Sequence, residues 1–172
     1  MIPRIHRVLY ATDLSKNSAY AFRYAINTAQ KHDAEVVTLH VIEPLPQNAR
    51  VWMDLYVSEK DKHKFSETNI QQSLEKIRQR WNVIKEKELA DDPDAANRED
   101  EIIVEEGYPA EVILRTADER NCDIIVMGTH SKGTIANTFL GSVAERVLRR
   151  TRKPVYIIPL PRGETDISFS DV

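Results

Sequence analysis

Two glycines in the last third of the chain stand where a phosphate-binding loop would need them. Gly128 follows the apolar run 122–127, which has the length of a strand, and it opens a short polar loop. Gly141 precedes a predicted helix, in which Ser142 is expected to be the N-cap of a capping box completed by Glu145. A helix start carries unpaired N–H groups and partial positive charge, so these residues predict an anion site. The alternative is an ordinary glycine-containing turn of an α/β domain without a ligand.

Two common nucleotide-binding motifs do not occur in the sequence. Gly128 and Gly133 have the glycine spacing of a Walker A motif, but Thr134 occupies the position of its lysine. After the first predicted strand, the segment 12–14 (Thr-Asp-Leu) stands where a dinucleotide-binding domain has its GxGxxG fingerprint. The sequence therefore argues against a P-loop NTPase and against a dinucleotide-binding domain.

Other candidate groups have a structural alternative beside the functional one. His130 could touch a phosphate or face solvent, and Lys132 could pair with a phosphate or simply be solvated. His40 lies within a predicted strand and Cys122 at the start of another, so both are expected to be structural. No histidine or cysteine spacing typical of a metal site occurs, and no nucleophile–base pair can be argued from the order of residues.

The composition is that of an ordinary soluble domain. The 172 residues carry a formal net charge of -3, so no basic excess points to nucleic acid. The single cysteine excludes an intramolecular disulfide and fits a reducing compartment. The sequence has no apolar run of signal-peptide or membrane-spanning character, so we expect a cytoplasmic protein.

Alternating strand and helix patterns predict an α/β domain built on a parallel sheet. Strands are expected at 7–12, 34–42, 101–105, 123–127 and 153–158. Helices are expected at 18–31, 66–89, 109–121 and 142–150. Because ligands of such sheets bind beyond the carboxyl ends of the strands, the site should lie after the first, second and fourth strands.

A single domain is predicted at 1–160. Three segments fall outside the alternation of strands and helices, and the first two of them, 44–65 and 90–100, belong to this domain. The segment 44–65 has loop-forming prolines but an apolar stretch at 51–57, so we expect it to fold onto the domain or onto a partner. The acidic segment 90–100 predicts a flexible loop, and 161–172 predicts a polar tail.

These positions give the chain a resemblance to the universal stress protein family. The run Gly128-Thr-His-Ser131, nine further residues and then Gly141-Ser142 is similar to the family's ATP-binding motif, Gly-x2-Gly-x9-Gly-Ser/Thr. The segments 11–13 (Ala-Thr-Asp), 39–41 (Leu-His-Val) and 153–155 (Lys-Pro-Val) match the family as well. The resemblance covers essentially the whole chain in order.

The resemblance implies a three-layer α/β sandwich of the adenine nucleotide alpha hydrolase-like type, with five parallel strands in the order 3-2-1-4-5. It also implies ATP or AMP as the ligand, with Mg²⁺ or Mn²⁺ as the cation that could accompany it. Asp13 resembles the acidic residue of the nucleotide pocket, and Val41 resembles the residue whose backbone contacts adenine. Gly128 matches the first motif glycine, and phosphate would be held at the last positions of the site, Gly141, Ser142 and Val143.

Ser131 departs from the motif, because it occupies the position of the second glycine. If the backbone there is left-handed, a residue with a side chain costs roughly 1–2 kcal/mol, and the side chain narrows the approach of phosphate. The serine hydroxyl could instead donate to phosphate, and Gly133 could bend the loop two residues later. The departure weighs more against ATP than against AMP. It also supports an alternative, a nucleotide-free dimeric interaction module that works through 44–65 and the dimer edge.

The last predicted strand supplies a candidate dimer contact. In the family this strand pairs with its own copy, so the resemblance implies a homodimer through Val155, Tyr156, Ile157 and Ile158. The alternative is an edge that another part of the chain covers. We therefore expect a dimeric stress-response sensor or regulator that binds an adenine nucleotide and has an unidentified protein partner. Because no general base can be named, any ATP hydrolysis should be slow.

Overall fold

The structure is a computed structural model that describes residues 2–90, 101–129 and 140–159. Its sheet contains β1 (Arg7–Thr12), β2 (Glu35–Ile42), β3 (Glu101–Glu106), β4 (Ile124–Gly128) and β5 (Val155–Ile158). The helices of these ranges are α1 (Lys16–His32), α2 (Gln47–Tyr56), α3 (Glu59–Glu88), α4 (Pro109–Glu119) and α5 (Ser142–Arg150). All neighbouring strands are parallel and follow the order β3-β2-β1-β4-β5, which confirms the predicted fold class and strand order.

β1 lies at the centre of the sheet, and its alternate residues face two different cores. Val8 and Tyr10 belong to the core that α1 and α3 cover. Leu9 and Ala11 belong to the core on the other face, which α4 and α5 cover. Because both faces of the strand are covered, its sequence is a continuous apolar run rather than an alternation of apolar and polar residues. The result is the expected sandwich of three layers.

Residues with capping geometry set both ends of α1. Ser15 is the N-cap, and its hydroxyl accepts a hydrogen bond of 3.2 Å from the N–H of Ser18. Asp33 ends the helix in the left-handed conformation, with φ of 54°. The helix therefore begins directly after the turn 13–15, which it fixes beside the end of β1.

The segment 44–65 differs from its prediction. It contains α2 and the first turns of α3, and no residue of α2 is buried, although Tyr108 of the domain lines a shallow pocket together with residues of this segment. The expectation that the segment folds onto the domain or onto a partner stays a prediction. The helix was missed because Pro44 and Pro46 were interpreted as loop residues, although proline is tolerated at the very start of a helix. An ion pair joins α2 to α3, since Lys62 Nζ lies 2.8 Å from Asp54 Oδ1.

α3 is longer than predicted, because it begins at Glu59 instead of near residue 66. Ser58 caps it, and its hydroxyl accepts a hydrogen bond from the N–H of Asp61. The second half of the helix packs on the sheet through three buried side chains, Ile77, Trp81 and Ile84. The Trp81 indole donates to Thr38 Oγ1 at 3.3 Å, so Trp81 is a core residue whose N–H has a partner.

The other predicted boundaries agree with the structure to within two residues, and α5 agrees at both ends. The expected acidic loop beyond Ala90 and the expected polar tail lie outside the described residues. Among the helices of the three described ranges, none is long and apolar enough to cross a membrane.

Candidate functional site

A cavity of about 110 Å³ opens at the carboxyl ends of the central strands. It lies between the ends of β1 and β4, where the strand order reverses, as the α/β topology predicts for a ligand site. Six of the predicted site residues line this cavity: Asp13, Val41, Gly128, Gly141, Ser142 and Val143. The sheet therefore brings together residues that are more than a hundred positions apart in the chain.

The Asp13 carboxylate has one satisfied oxygen and one unsatisfied oxygen. Oδ1 accepts hydrogen bonds from the Ser15 N–H at 3.0 Å and from the Ser15 hydroxyl at 2.6 Å. Oδ2 is buried and has no hydrogen-bond partner among the described residues. Leaving a buried acceptor unsatisfied costs about 1–3 kcal/mol, so a donor supplied by a ligand would be favourable at this position.

The two ends of the glycine loop meet at the cavity. Gly128 is the last residue of β4 and pairs with Ile158 of β5. The next residue, Thr129, donates its N–H to the Ile158 carbonyl oxygen at 3.2 Å. Gly141 in turn donates its N–H to the Thr129 carbonyl oxygen at 2.6 Å. The first and last glycines of the motif are thereby fixed next to each other, although a long segment separates them in sequence.

The start of α5 corrects the predicted capping box. Gly141 is the N-cap, with φ of -71° and ψ of 154°, and Ser142 is the first residue inside the helix. Glu145 donates its N–H to the Gly141 carbonyl oxygen at 2.9 Å, and its carboxylate pairs with Arg149 Nη2 at 2.6 Å. The box fails because the helix begins at Ser142, one residue earlier than a Ser142 cap requires, and among the described residues no side chain caps this helix start. Its N–H groups at Ser142 and Val143 therefore remain suited to an anion in the cavity.

The remaining predicted site residues are His130, Ser131 and Lys132, and they lie outside the described residues. Their contacts with a phosphate group stay a prediction. The part of the lining that the structure describes contains two carboxylates, Asp13 and Glu43, and no lysine or arginine. Within that part, the helix start of α5 is thus the source of positive potential for an anion.

Several lining residues were not predicted. Glu43 directly follows β2, so the rule that ligands bind after strand ends could have identified it. Thr129 follows Gly128 and could have been found in the same way. Pro109 and Ile113 come from the start of α4, and no motif marks them. Their position depends on how α4 packs across the sheet, which the residue pattern of one helix does not specify.

The two residues that were expected to be structural have structural environments. His40 faces away from the cavity, and its Nδ1 lies 2.8 Å from the Thr12 carbonyl oxygen. Burial lowers the pKa of His40, partly opposed by that hydrogen bond and by the Asp13 charge. Cys122 is buried, and its burial raises the pKa of the thiol to about 11, so the reactive thiolate is scarce at neutral pH.

The comparison with protein families gives a match over nearly all of the sequence. The universal stress protein family model matches residues 4–159. The chain belongs to the universal stress protein family. This universal stress protein is 31% identical over 161 residues to universal stress protein MJ0531 of Methanocaldococcus jannaschii, covering 92% of this chain and 84% of the relative. It is 30% identical over 156 residues to MJ0577 of the same organism, covering 88% of this chain and 93% of the relative.

Solved structures of relatives have the same fold. MJ0577, whose structure was solved to assign its biochemical function, aligns with a TM-score of 0.68 at 26% identity, over 94% of this chain and 100% of that one. UspA from Lactobacillus plantarum aligns with a TM-score of 0.63 at 22% identity, over 91% and 99%. A universal stress protein in complex with cAMP aligns with a TM-score of 0.56 at 21% identity, over 91% and 98%. Because UspA and the protein in the cAMP complex are only 22% and 21% identical to this chain, their similarity shows a shared fold and nothing more.

Proposed function

We propose that this universal stress protein binds an adenine nucleotide, ATP or AMP, in the cavity at the ends of β1 and β4. In the cytoplasm it would act as a dimeric sensor or regulator of the stress response. Two complementary features of one cavity carry the proposal. Asp13 Oδ2 is a buried acceptor without a donor in the described ranges, and Gly141 begins a helix that no side chain within those ranges caps.

A nucleotide has the groups that these features require. Its nucleoside part offers hydroxyl and amino donors, which suit the Asp13 carboxylate. Its phosphate suits the N–H groups of Ser142 and Val143 at the positive end of α5. The apolar side chains of Val41 and Ile113 contribute walls that suit the faces of a purine ring. An inorganic anion alone would leave the acceptor of Asp13 and these apolar walls unused.

The loop between Thr129 and Leu140 decides which nucleotide is preferred. We propose that His130, Ser131 and Lys132 contact the phosphates, and that Ser131 favours AMP over ATP because its side chain narrows the approach to the backbone. Mg²⁺ or Mn²⁺ would accompany ATP, bound through its phosphates. The universal stress protein in complex with cAMP supports an adenine ligand for this fold, since cAMP carries adenine and one phosphate.

We propose that the dimer forms through the outer edge of β5. Within the described ranges, β5 pairs with β4 on one side and with no strand on the other. Val155 and Ile157 pack on the core that α4 and α5 cover, whereas Tyr156 is 43% exposed. The carbonyl oxygen of Ile158 accepts the N–H of Thr129, so this strand ends at the base of the nucleotide loop. A ligand that contacts the loop would therefore act next to the dimer contact.

The direct test is to look for a bound nucleotide. Protein purified without added nucleotide is denatured, and the released small molecules are identified by mass spectrometry. The same preparation is then heated with ATP, AMP or GTP, each with Mg²⁺, and its melting temperature is recorded. We expect an adenine nucleotide in the released fraction, or a larger stabilisation by ATP or AMP than by GTP. A ligand at a hundred times its dissociation constant stabilises by about 2.7 kcal/mol, so a missing shift together with an empty released fraction would refute the proposal.

A second candidate function is a nucleotide-free interaction module, and the exposed apolar face of α2 favours it. More than half of the surface of Val51, Trp52, Leu55 and Tyr56 is exposed. In this case Trp52→Ala would abolish the function of the protein in cells, whereas Gly141→Asp would leave it intact. The reverse result, obtained with folded and dimeric variants, would exclude the module and favour nucleotide binding.

A further inference from the structure

We propose that Arg80 of α3 is a positioning residue for the nucleotide site, because it holds the turn 13–15 in the conformation that orients the Asp13 carboxylate. Arg80 does not line the cavity, so it would act on the ligand only through this turn. The inference rests on the proposed function, since it assigns Arg80 a role in the same site.

The turn contains a residue in a backbone conformation that leucine rarely adopts. Leu14 has φ of 61°, in the left-handed region, and it stands between Asp13 and Ser15. A leucine in this region is less stable than a glycine, because its Cβ crowds the following carbonyl oxygen. Such a conformation persists only where neighbouring groups enforce it. The contacts that enforce it are therefore candidates for a role in the site.

Both polar backbone groups of Leu14 are bound by side chains. Its N–H donates to Thr12 Oγ1 at 3.1 Å. Its carbonyl oxygen accepts a hydrogen bond of 2.5 Å from Arg80 Nη2. The first contact is local and belongs to the end of β1, whereas the second comes from α3, 66 positions away in sequence. Arg80 is thus the long-range contact that fixes the orientation of this peptide unit.

The surroundings of Arg80 make this contact firm. Its side chain lies in a small apolar space together with Tyr10, Phe22 and Trp81. Burial lowers the pKa of Arg80, while the ionised form of Tyr10 and the charge of Asp13 oppose that effect. The attraction between the guanidinium group and Asp13 acts in the same direction as the hydrogen bond to Leu14, because both draw the turn toward α3.

The conformation of Leu14 determines where the Asp13 carboxylate points. Asp13 Oδ1 reaches across Leu14 to the N–H and the hydroxyl of Ser15, at 3.0 and 2.6 Å. If Leu14 relaxed to the right-handed region, the peptide N–H of Ser15 would turn away and Oδ1 would lose this anchor. Oδ2, the buried acceptor assigned to the ligand, would then lose its fixed direction.

A double-mutant cycle separates this role from simple destabilisation. Arg80→Met removes the hydrogen bond and keeps an apolar stem, and Leu14→Gly removes the strain, since glycine adopts positive φ without a steric penalty. AMP affinity is measured by calorimetry for wild type, both single variants and the double variant. Arg78→Met, an exposed arginine on the same helix, is the matched control.

We expect Arg80→Met to weaken AMP binding about 5- to 30-fold, the ratio that corresponds to the strain of one left-handed residue. In the Leu14→Gly background the same substitution should weaken binding less than about twofold, because the turn no longer needs to be held. Arg78→Met should leave the affinity unchanged. Equal losses in both backgrounds, or no loss with Arg80→Met, would overturn the inference.

A readout without ligand distinguishes this inference from the proposed function. The Ser15 N–H is protected from hydrogen exchange as long as Asp13 Oδ1 accepts it. We expect Arg80→Met to reduce this protection in the ligand-free protein, and to reduce it less in the Leu14→Gly background. If wild type binds no nucleotide, the proposed function fails, and the exchange result alone decides on Arg80. Unchanged protection in Arg80→Met would then overturn its role.

Discussion

Gly141 and Thr129 are joined by a backbone hydrogen bond of 2.6 Å, which closes the glycine loop at its base. This bond brings the N-terminal end of α5 to the end of β4, where the cavity opens. A phosphate at the cavity would therefore meet the helix start directly. The geometry makes Gly141 the position at which capping of the helix and binding of an anion compete for the same N–H groups.

Gly141→Asp should separate folding from binding. An aspartate at an N-cap accepts hydrogen bonds from the first turn of the helix, so the variant should be as stable as wild type or a few tenths of a kcal/mol more stable. The same carboxylate would occupy the N–H groups that phosphate needs and would repel it, so nucleotide affinity should fall at least about tenfold.

Thermal unfolding and calorimetry with AMP measure the two effects of Gly141→Asp. Gly141→Asn is the matched control, because asparagine caps the helix equally well but carries no charge. It should lose less affinity than the aspartate variant. If both variants bind AMP as wild type does, the phosphate does not lie at the start of α5.

Asp13→Asn should weaken nucleotide binding without unfolding the protein. The asparagine amide keeps one oxygen, which can accept the hydrogen bonds from Ser15 as Oδ1 does. Its NH2 group takes the place of Oδ2, the charged acceptor that has no partner among the described residues. A hydrogen bond to a charged group contributes about 1.5–3 kcal/mol, so affinity should fall about 10- to 100-fold.

The melting temperature of Asp13→Asn should change little, because the relief from placing a charge at a buried oxygen opposes the loss of its attraction to Arg80. Ser15→Ala serves as the comparison, because it removes the hydroxyl that anchors the Asp13 carboxylate. It should lower the free energy of unfolding by about 1 kcal/mol, because α1 loses its N-cap. An Asp13→Asn variant that binds AMP normally would show that Oδ2 does not contact the ligand.

Much of this site could be predicted from the sequence, because two general rules apply to single elements: where ligands bind on a parallel sheet, and how a strand buried on both faces looks in sequence. The cavity follows from the rule that ligands bind after the ends of parallel strands, and Asp13 and Gly128 stand at such ends. β1 and β4 were identified because burial on both faces produces continuous apolar runs. Gly141 was identified because it directly precedes a predicted helix, and the family motif then implied that it holds phosphate. The position of each of these residues in the site follows from the strand or helix to which it belongs.

The features that were missed depend on other elements. The expected cap at Ser142 was wrong by a single residue, since the turn of the chain before α5 decides where the helix begins. α2 was missed because its helical pattern has no core to bury, and prolines stand before it. Ile113 belongs to the cavity only because α4 crosses the sheet at that place. Leu14 gives no sign in the sequence of its left-handed conformation, which Arg80 enforces from a distant helix.

Tyr156→Lys should convert the proposed dimer into a monomer. Tyr156 is the exposed residue of β5, and a charged side chain on an edge strand opposes pairing with a second copy. Light scattering after size-exclusion chromatography measures the mass, and Tyr156→Phe is the control that keeps the ring. A lysine variant that elutes as a dimer, with unchanged stability of the fold, would place the interface elsewhere.

Tyr10 should make the protein sensitive to alkaline pH. Its hydroxyl is buried and donates to the Ser18 carbonyl oxygen at 2.6 Å, and burial raises the pKa of Tyr10 from 10.0 to about 12. Between these two values the unfolded chain releases the proton while the folded protein retains it. The free energy of unfolding should therefore be unaffected by this residue below pH 10 and should fall by up to about 1.4 kcal/mol per pH unit between pH 10 and 12.

Tyr10→Phe isolates this effect. At pH 7 the variant should be less stable by about 1 kcal/mol, because the Ser18 carbonyl oxygen loses its donor. As the pH rises from 10 to 12, the difference between wild type and variant should shrink and then change sign, since phenylalanine has no proton to lose. Urea unfolding at a series of pH values measures the difference, with Tyr108→Phe, which removes an exposed hydroxyl, as the control. A difference that stays constant across this range would show that the Tyr10 hydroxyl titrates normally in the folded protein.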